Sequence, residues 1–500
     1  MKAFTEPLLS LAGFEEMTKT AEKSSGLISV TGCIDAQKSQ MIYAFGGHRK
    51  NKLIVTFGEQ KAKELYDEYS FFDKEVVYYP SKDVLFYQSD IRGNLLTAER
   101  IRALKAIREQ ARVTIVTTFD ALMNTMAPIE KMWENVLTLE QGQLLDLKEI
   151  QAALIRMGYE KEYQVQTMGQ FSVRGGILDV FPLTEENPIR IELWGDEIDT
   201  IRYFDCESQK SIENTDRVSI YPAAELVLSD EEKAGGIEKL KAEAKRVSDK
   251  LRKQMKTEEA HRVSVMADEL TEEWGELSMY AGMDAFLSYF FDERVGLLDY
   301  FKPSDSLIFF DELTRCTEQG KLTETEFSES MKQRLAMGYI LPGQMNGLFT
   351  EKEIVAKLEK YSCIALAALD NKANGLHQLG SYGIHCQSVS PYNNSFELLI
   401  KDLKRYKKNG YRVILLSGSR TRAKRLSEDI TDQGITCFYT ENYDHELFEG
   451  QIMVCYGKVR RGFEYPILKF AVITESDIFG AQQKKKKRHR TYEGEKIQSF

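Results

Sequence analysis

Gly169-Gln-Phe-Ser-Val-Arg-Gly-Gly-Ile-Leu-Asp-Val-Phe-Pro182, followed by Pro188-Ile-Arg-Ile-Glu-Leu-Trp-Gly-Asp-Glu-Ile-Asp199, reads as β-strands joined by tight turns. Ile189, Ile191 and Leu193 alternate with Arg190, Glu192 and Trp194. Successive strand side chains point to opposite faces, so the three apolar residues are expected to meet a core and the other three to share the far side. Gly195-Asp196 is a turn signal between two strand-like runs. Arginine and tryptophan are enriched where proteins bind proteins, which makes the far side a candidate docking face. The competing reading is a solvated strand face with one incidental aromatic, because exposed aromatics are common. Gly175-Gly176 fit a bulge or tight turn, and Arg174 beside them is either a docking residue or a turn arginine bonding local carbonyls.

Around this stretch, 500 residues imply about three domains. A formal net charge of -10 and a pI near 5.5 exclude a whole-surface attraction to nucleic acid, so any such contact is local. No apolar run approaches the ~20 residues of a membrane span, and Met1-Lys-Ala-Phe-Thr-Glu-Pro7 does not read as a signal peptide. Seven scattered cysteines without a Cys-x-x-Cys pair suit a reducing cytoplasm. The six histidines have no metal-ligand spacing, and no metal site or catalytic residue is assigned.

Toward the N-terminus, Leu27–Thr31 is a short apolar strand candidate, and Gly32-Cys-Ile-Asp-Ala-Gln-Lys38-Ser39 follows it. A phosphate-binding loop has Gly-x-x-x-x-Gly-Lys-Ser/Thr at this place, its glycines letting backbone N–H groups wrap phosphate. Here Gln37 replaces the second glycine and Asp35 adds a negative charge. The loop reads as a degenerate nucleotide site, either a relic or a weak residual binder. Strand Lys52–Phe57, helix Glu59–Tyr69, strand Glu75–Pro80, helix Thr97–Gln110, strand Arg112–Thr117 and helix Phe119–Met126 continue the pattern. Alternating strands and helices with short connections predict a parallel sheet covered on both faces.

Leu145–Tyr159 reads as a helix, either a linker or a lid on the small sheet. Thr200–Asp205 and Arg217–Tyr221 are further strand candidates, and Ser229-Asp-Glu-Glu232 is a capping box opening a helix-rich stretch to about Phe291. Ser306–Phe310 is an apolar strand ending in Asp311-Glu312, the form that holds Mg²⁺ in nucleotide hydrolysis. With the loop at Gly32, Lys38 and Ser39, it suggests that residues 226–345 complete the first domain around an inserted module.

The last part, 346–475, reads as a small α/β domain. Its strands are Cys363–Leu369, Arg412–Ser417, Gly434–Tyr439, Ile452–Tyr456 and Lys469–Thr474, with helices Phe396–Lys408 and Arg420–Gln433 between. Gly418-Ser-Arg-Thr-Arg422 is a plain helix start or an anion loop. Lys484–Arg490 is a strongly basic run, read as a solvated linker or as a contact for nucleic acid or an acidic partner.

The run Phe171–Pro182 followed by Arg190–Ile198 resembles the module shared by UvrB and the bacterial transcription-repair coupling factors, the Mfd family. Tyr79–Asp83, Thr97–Leu104 and Thr474–Gly480 carry the same resemblance. Only 16 residues separate Pro80 from Thr97, where UvrB carries a long aromatic-rich hairpin for damaged DNA. Phe86 and Tyr87 lie there, but that hairpin has no room, which together with Gln37 points to the coupling factors.

The resemblance implies an α/β multidomain chain. A degenerate helicase-like parallel-sheet domain of the P-loop type (1–135 and 226–345) carries an inserted, mainly β UvrA-binding module (136–225), and a smaller α/β domain and a basic linker (476–500) follow. It implies UvrA contact by Arg174, Arg190 and Trp194, where the family commonly has Phe at the last position. The two guanidiniums can bond carboxylates bidentately and the indole can fill an apolar pocket. It further implies a cytoplasmic adaptor without firmly bound cofactor. ATP and Mg²⁺, RNA polymerase and DNA are served by parts beyond Phe500, and the UvrA face is hidden by an intramolecular contact with the C-terminal domain. The competing readings are a UvrB-like ATP-dependent, damaged-DNA-binding protein of the helicase fold, and a nucleic-acid binder acting through its basic tail.

Overall fold

Short, mostly apolar runs bounded by glycine and polar turns build the first sheet. In the computed structural model, which describes residues 1–46, 49–82, 93–276, 283–369 and 375–480, seven strands lie side by side and all pair in parallel. Their order is Gln378–Gly383, Gly26–Thr31, Ser362–Leu366, Ser306–Asp311, Asn51–Thr56, Val113–Thr118 and Val76–Tyr79. Helices Asp35–Phe45, Glu59–Phe72 and Gly93–Glu109 make crossovers between them, as parallel pairing requires. Every residue of Val113–Thr118 and Ser306–Asp311 is buried, as expected for strands covered on both faces. Ile115, Phe119, Phe310, Cys316 and Cys363 are part of the core they share.

One expectation about this sheet changes. The Ser306 strand does belong to it, pairing with Asn51–Thr56. The 346 boundary does not survive: Ser362–Leu366, the core of the run read as the start of the last domain, pairs with both the Ser306 and the Gly26 strands. Gln378–Gly383 also joins at the edge. The apolar run was recognisable as a strand, but its partners lie tens to hundreds of residues away.

Two long helices, Asp230–Lys253 and Thr257–Glu276, fold back on each other over a second core containing Leu240, Ala244, Ala260, Val263 and Trp274. Ser229 opens the first with the expected capping box: its hydroxyl accepts from Glu232 N, and the Glu232 carboxylate accepts from Ser229 N. This satisfies donors that a helix start leaves unpaired.

The inserted module is a six-stranded sheet in the order Ser211–Thr215, Glu197–Phe204, Ile189–Trp194, Ile177–Val180, Gln170–Arg174, Glu160–Lys161. Leu137–Glu140 and Arg217–Ile220 pair antiparallel as a ribbon, Leu137 opposite Ile220. Helix Leu147–Arg156 is the lid rather than a linker, since Leu154 is fully buried in the module core with Phe171, Leu178, Ile189, Ile191 and Ile201.

The chain divides into two compact units, one of residues 12–33 and 38–384, the other of 1–11, 34–37 and 385–500. The second has its own six-stranded sheet, in which Phe470–Thr474, Arg412–Ser417, Ile452–Tyr456 and Phe438–Tyr439 run parallel. Phe463–Tyr465 adds an antiparallel strand, and helices Phe396–Lys408 and Arg420–Asp432 lie in the places the sequence indicates.

Candidate functional site

Strand alternation puts Ser172, Arg174, Asp179, Arg190, Glu192 and Trp194 on one face of the module sheet, opposite the core residues Phe171, Leu178 and Ile191. Asp179 faces Arg190 directly in the ladder. It is 1% exposed, and both of its oxygens are used. Arg190 donates from Nε to Oδ1 at 2.7 Å and from Nη2 to Oδ2 at 2.8 Å, while Arg174 Nη2 donates to Oδ2 at 2.8 Å. Arg190 Nη2 also donates to Gln209 Oε1 at 2.9 Å, and its guanidinium sits 4.3 Å from the Phe204 ring centroid. The Asp179 hydrogen bond outweighs burial and raises Arg190 above the ordinary guanidinium range. Arg190 is therefore largely committed within the module, while Arg174 is half-exposed and makes one bond to Asp179. Arg174 is not the local turn residue of the simpler reading, since its bond is to a carboxylate across the hairpin.

Next along the face, Glu192 accepts from Arg202 Nη1 at 3.0 Å and from Thr200 Oγ1 at 3.2 Å. The Arg202 bond, against the cost of burial, holds the Glu192 carboxyl below its usual range. Trp194 ends the strand and is 85% exposed. It sits where the hairpin tip is pinned by backbone bonds, with Gly142 N donating to Ile198 O at 2.8 Å and Leu145 N to Asp196 O at 2.7 Å. A large aromatic on a fixed tip suits a docking anchor better than a packing residue.

The second predicted cluster is also assembled, but closed. Lys38 is 1% exposed, and its Nζ lies 2.5 Å from Asp311 Oδ1 and 2.8 Å from Glu312 Oε1. Thr56 Oγ1 donates to Asp311 Oδ2 at 2.9 Å, and Glu312 Oε1 also accepts from Ala368 N at 3.1 Å. Glu312 has φ of 60°, a left-handed conformation that a side chain tolerates only under constraint. Burial disfavours the charged lysine, and the two carboxylates outweigh it and raise its pKa. The lysine that would reach a phosphate is thus engaged by the acids that would hold a metal.

Gly32 also serves packing. Its φ is 78°, and a Cβ there would lie 2.0 Å from the Ile384 carbonyl oxygen. The helix already begins at Asp35, and the buried Ser39 hydroxyl and Gln37 side-chain amide have no hydrogen-bond partner among the described residues. In the second unit, the Gly418–Arg422 loop accommodates an anion of its own. The Glu475 carboxylate accepts from Gly418 N at 2.6 Å and Ser417 Oγ at 3.0 Å and pairs with Arg422. The segment with Phe86 and Tyr87 and the basic run Lys484–Arg490 lie outside the described residues.

Asp179 and Glu475, absent from the sequence-derived candidates, organise the arginines around them. The only signal for Asp179 was its spacing, which places it on the same face as Arg174 once the hairpin is drawn.

Comparison with known families bears on the module first. Residues 137–226 match the UvrB interaction domain. The transcription-repair-coupling factor of Bacillus subtilis (strain 168) is 28% identical to this chain across 89% of the chain and 38% of that protein. That of Staphylococcus haemolyticus (strain JCSC1435) is 27% identical across 95% and 40%, and that of Staphylococcus aureus (strain MRSA252) 26% identical across 97% and 41%. The chain therefore resembles transcription-repair-coupling factors along nearly all of its length while spanning about two fifths of theirs. The UvrB interaction domain contains Arg174, Asp179, Arg190 and Trp194 and excludes Lys38, Asp311 and Glu312. Among the described residues no helix is long and apolar enough to cross a membrane.

Proposed function

We propose that the UvrB interaction domain of this chain docks UvrA, and that the chain serves as the adaptor portion of a transcription-repair coupling factor. The observation that carries this is the exposed Trp194 on a pinned hairpin tip, on the face it shares with Arg174 and Arg190 inside the matched domain. In this role the chain brings UvrA, and with it DNA excision repair, to RNA polymerase stalled at damage. Contacts with RNA polymerase and DNA, and ATP- and Mg²⁺-driven translocation, are assigned to the portion of the relatives that this chain does not span. So is a C-terminal domain that covers the UvrA face. The site at Lys38 is assigned a structural role and no turnover, because its ammonium is already neutralised by Asp311 and Glu312. That arrangement also disfavours the UvrB-like ATPase reading, which filter binding of damaged duplex with and without ATP would revive by showing ATP-dependent retention.

Calorimetric titration of the 500-residue chain with purified UvrA tests the docking role. Saturable binding is expected, and Arg174→Ala and Trp194→Ala should each weaken it at least tenfold, about 1.4 kcal/mol, with circular dichroism unchanged. A well-folded wild type that fails to bind would sink the proposal.

A further inference from the structure

The docking face has a second half that the arginines do not explain. Beyond Trp194, an open groove of about 740 Å³ runs between the hairpin tip and the Leu137/Arg217 ribbon. Glu140, Glu197, Asp199, Asp216 and Arg217 line it together with the indole. Arg217 pairs with Glu140 at 3.2 Å. Glu197, Asp199 and Asp216 are exposed and have no cationic partner among the described residues. At the other end, Asp179 offsets one of the two arginine charges. The face is therefore dipolar, with one net positive charge near Arg174, an apolar plate at Trp194, and three uncompensated carboxylates beyond it.

We propose that the groove beside Trp194 receives a lysine- or arginine-bearing segment of the docking partner, its cation stacked on the indole and bonded to the carboxylates of Glu197, Asp199 and Asp216. Charge complementarity selects a basic occupant, and an exposed indole adds attraction to a cation lying over its face. Three segments distant in sequence, 140–142, 194–199 and 216–217, converge to form the groove, and backbone bonds fix their spacing. A fixed site keeps the ordering cost of binding low. The inference rests on the docking role proposed above and adds to it the charge that the partner must carry.

The test uses the whole 500-residue chain with Glu197→Gln, Asp199→Asn and Asp216→Asn combined, which keeps side-chain shape and removes charge. UvrA binding is measured by calorimetry at low and physiological salt. In parallel, an oligo-arginine peptide is titrated while tryptophan emission is followed, with Trp194→Phe identifying the signal of that indole. The triple variant is expected to bind UvrA at least tenfold more weakly, with a shallower salt dependence, and to lose the peptide response at an unchanged melting temperature. Affinity equal to or above wild type, or a peptide response unaffected by the triple substitution, overturns the inference. If wild type ignores UvrA yet shows a peptide response that the triple variant loses, the docking role falls and the groove remains a site for a basic segment. Wild type that ignores both defeats both.

Discussion

Two clusters in this chain are built from the same materials and end in opposite states. At Lys38, one ammonium and two carboxylates converge and Lys38 and Asp311 are sealed at 1% exposure each. At Asp179, two guanidiniums converge on one buried carboxylate, but Arg174 remains half-exposed and Trp194 stands clear beside it. The first arrangement commits its one cation to both of its carboxylates. The second uses an internal pair to stiffen a face that still has unsatisfied groups. An assembled set of functional residue types is thus no measure of function; what distinguishes the two is which groups retain capacity after the internal bonds are counted.

Removing one partner from the sealed cluster should have the greatest consequence. Lys38→Met should cost about 3–5 kcal/mol of folding stability in urea unfolding, because Asp311 is left buried without a cation. A loss below about 1 kcal/mol would mean the cluster is wet and open. A second buried network makes the same point through pH. Glu225 bonds Arg100 at 2.7 and 3.1 Å and lies 3.1 Å from Lys82, which also reaches Asp284. Burial would raise the Glu225 carboxyl, but Arg100 and Lys82 outweigh it and hold it down near 2, below its ordinary 4.5. A depressed carboxyl contributes stability above its unfolded value, and that contribution is lost as pH falls through the folded value. Wild type should therefore lose this increment between pH 4.5 and about 2, and Glu225→Gln, less stable at neutral pH, should lack that part of the acid dependence.

The open cluster should respond in reverse. Trp194→Ala is expected to change stability by less than about 0.5 kcal/mol while weakening UvrA binding by about 2 kcal/mol. A matching loss of stability would make Trp194 a packing residue and erase the contrast. The smallest expected effect is that of nucleotide. Millimolar Mg-ATP should shift the melting temperature of the 500-residue chain by under about 1 °C, because a ligand stabilises only the state it binds. A larger shift that Lys38→Ala removes would show that the sealed site opens.

Much of the inserted module was legible because its chemistry is local. Alternation placed Ile189 and Ile191 inside and Trp194 outside, and adjacent strands of a hairpin leave little choice of partner. Leu193 is only partly buried, since it lies at the tip where the core thins. The parallel sheet was legible as a class, but its interior Ser362 strand was assigned to the last domain and its edge strand was missed. Gln378-Leu-Gly-Ser-Tyr-Gly383 has two glycines and no β-branched residue, so only the neighbouring Gly26 strand identifies it as a strand. Ser211–Thr215 was missed for a similar reason, as a polar edge strand with no buried residue. The state of the Lys38 site was illegible because 273 positions separate the lysine from Asp311, and spacing alone does not reveal whether charges meet each other or a ligand.

The ribbon of Leu137–Glu140 and Arg217–Ile220 gives the module its entrance and exit at one place. Residues paired across antiparallel strands have Cα atoms about 4.5–5.5 Å apart, so Leu137 and Ile220 form a doorway that one or two glycines can close. The module is in that sense a cassette. It can be cut out without stretching the sheet it interrupts, since all seven strands of that sheet lie outside it, and it can be carried on another host through the same narrow gap. Splicing there would keep the seven strands of the host sheet on one chain and carry the surface proposed to recruit UvrA to a new address.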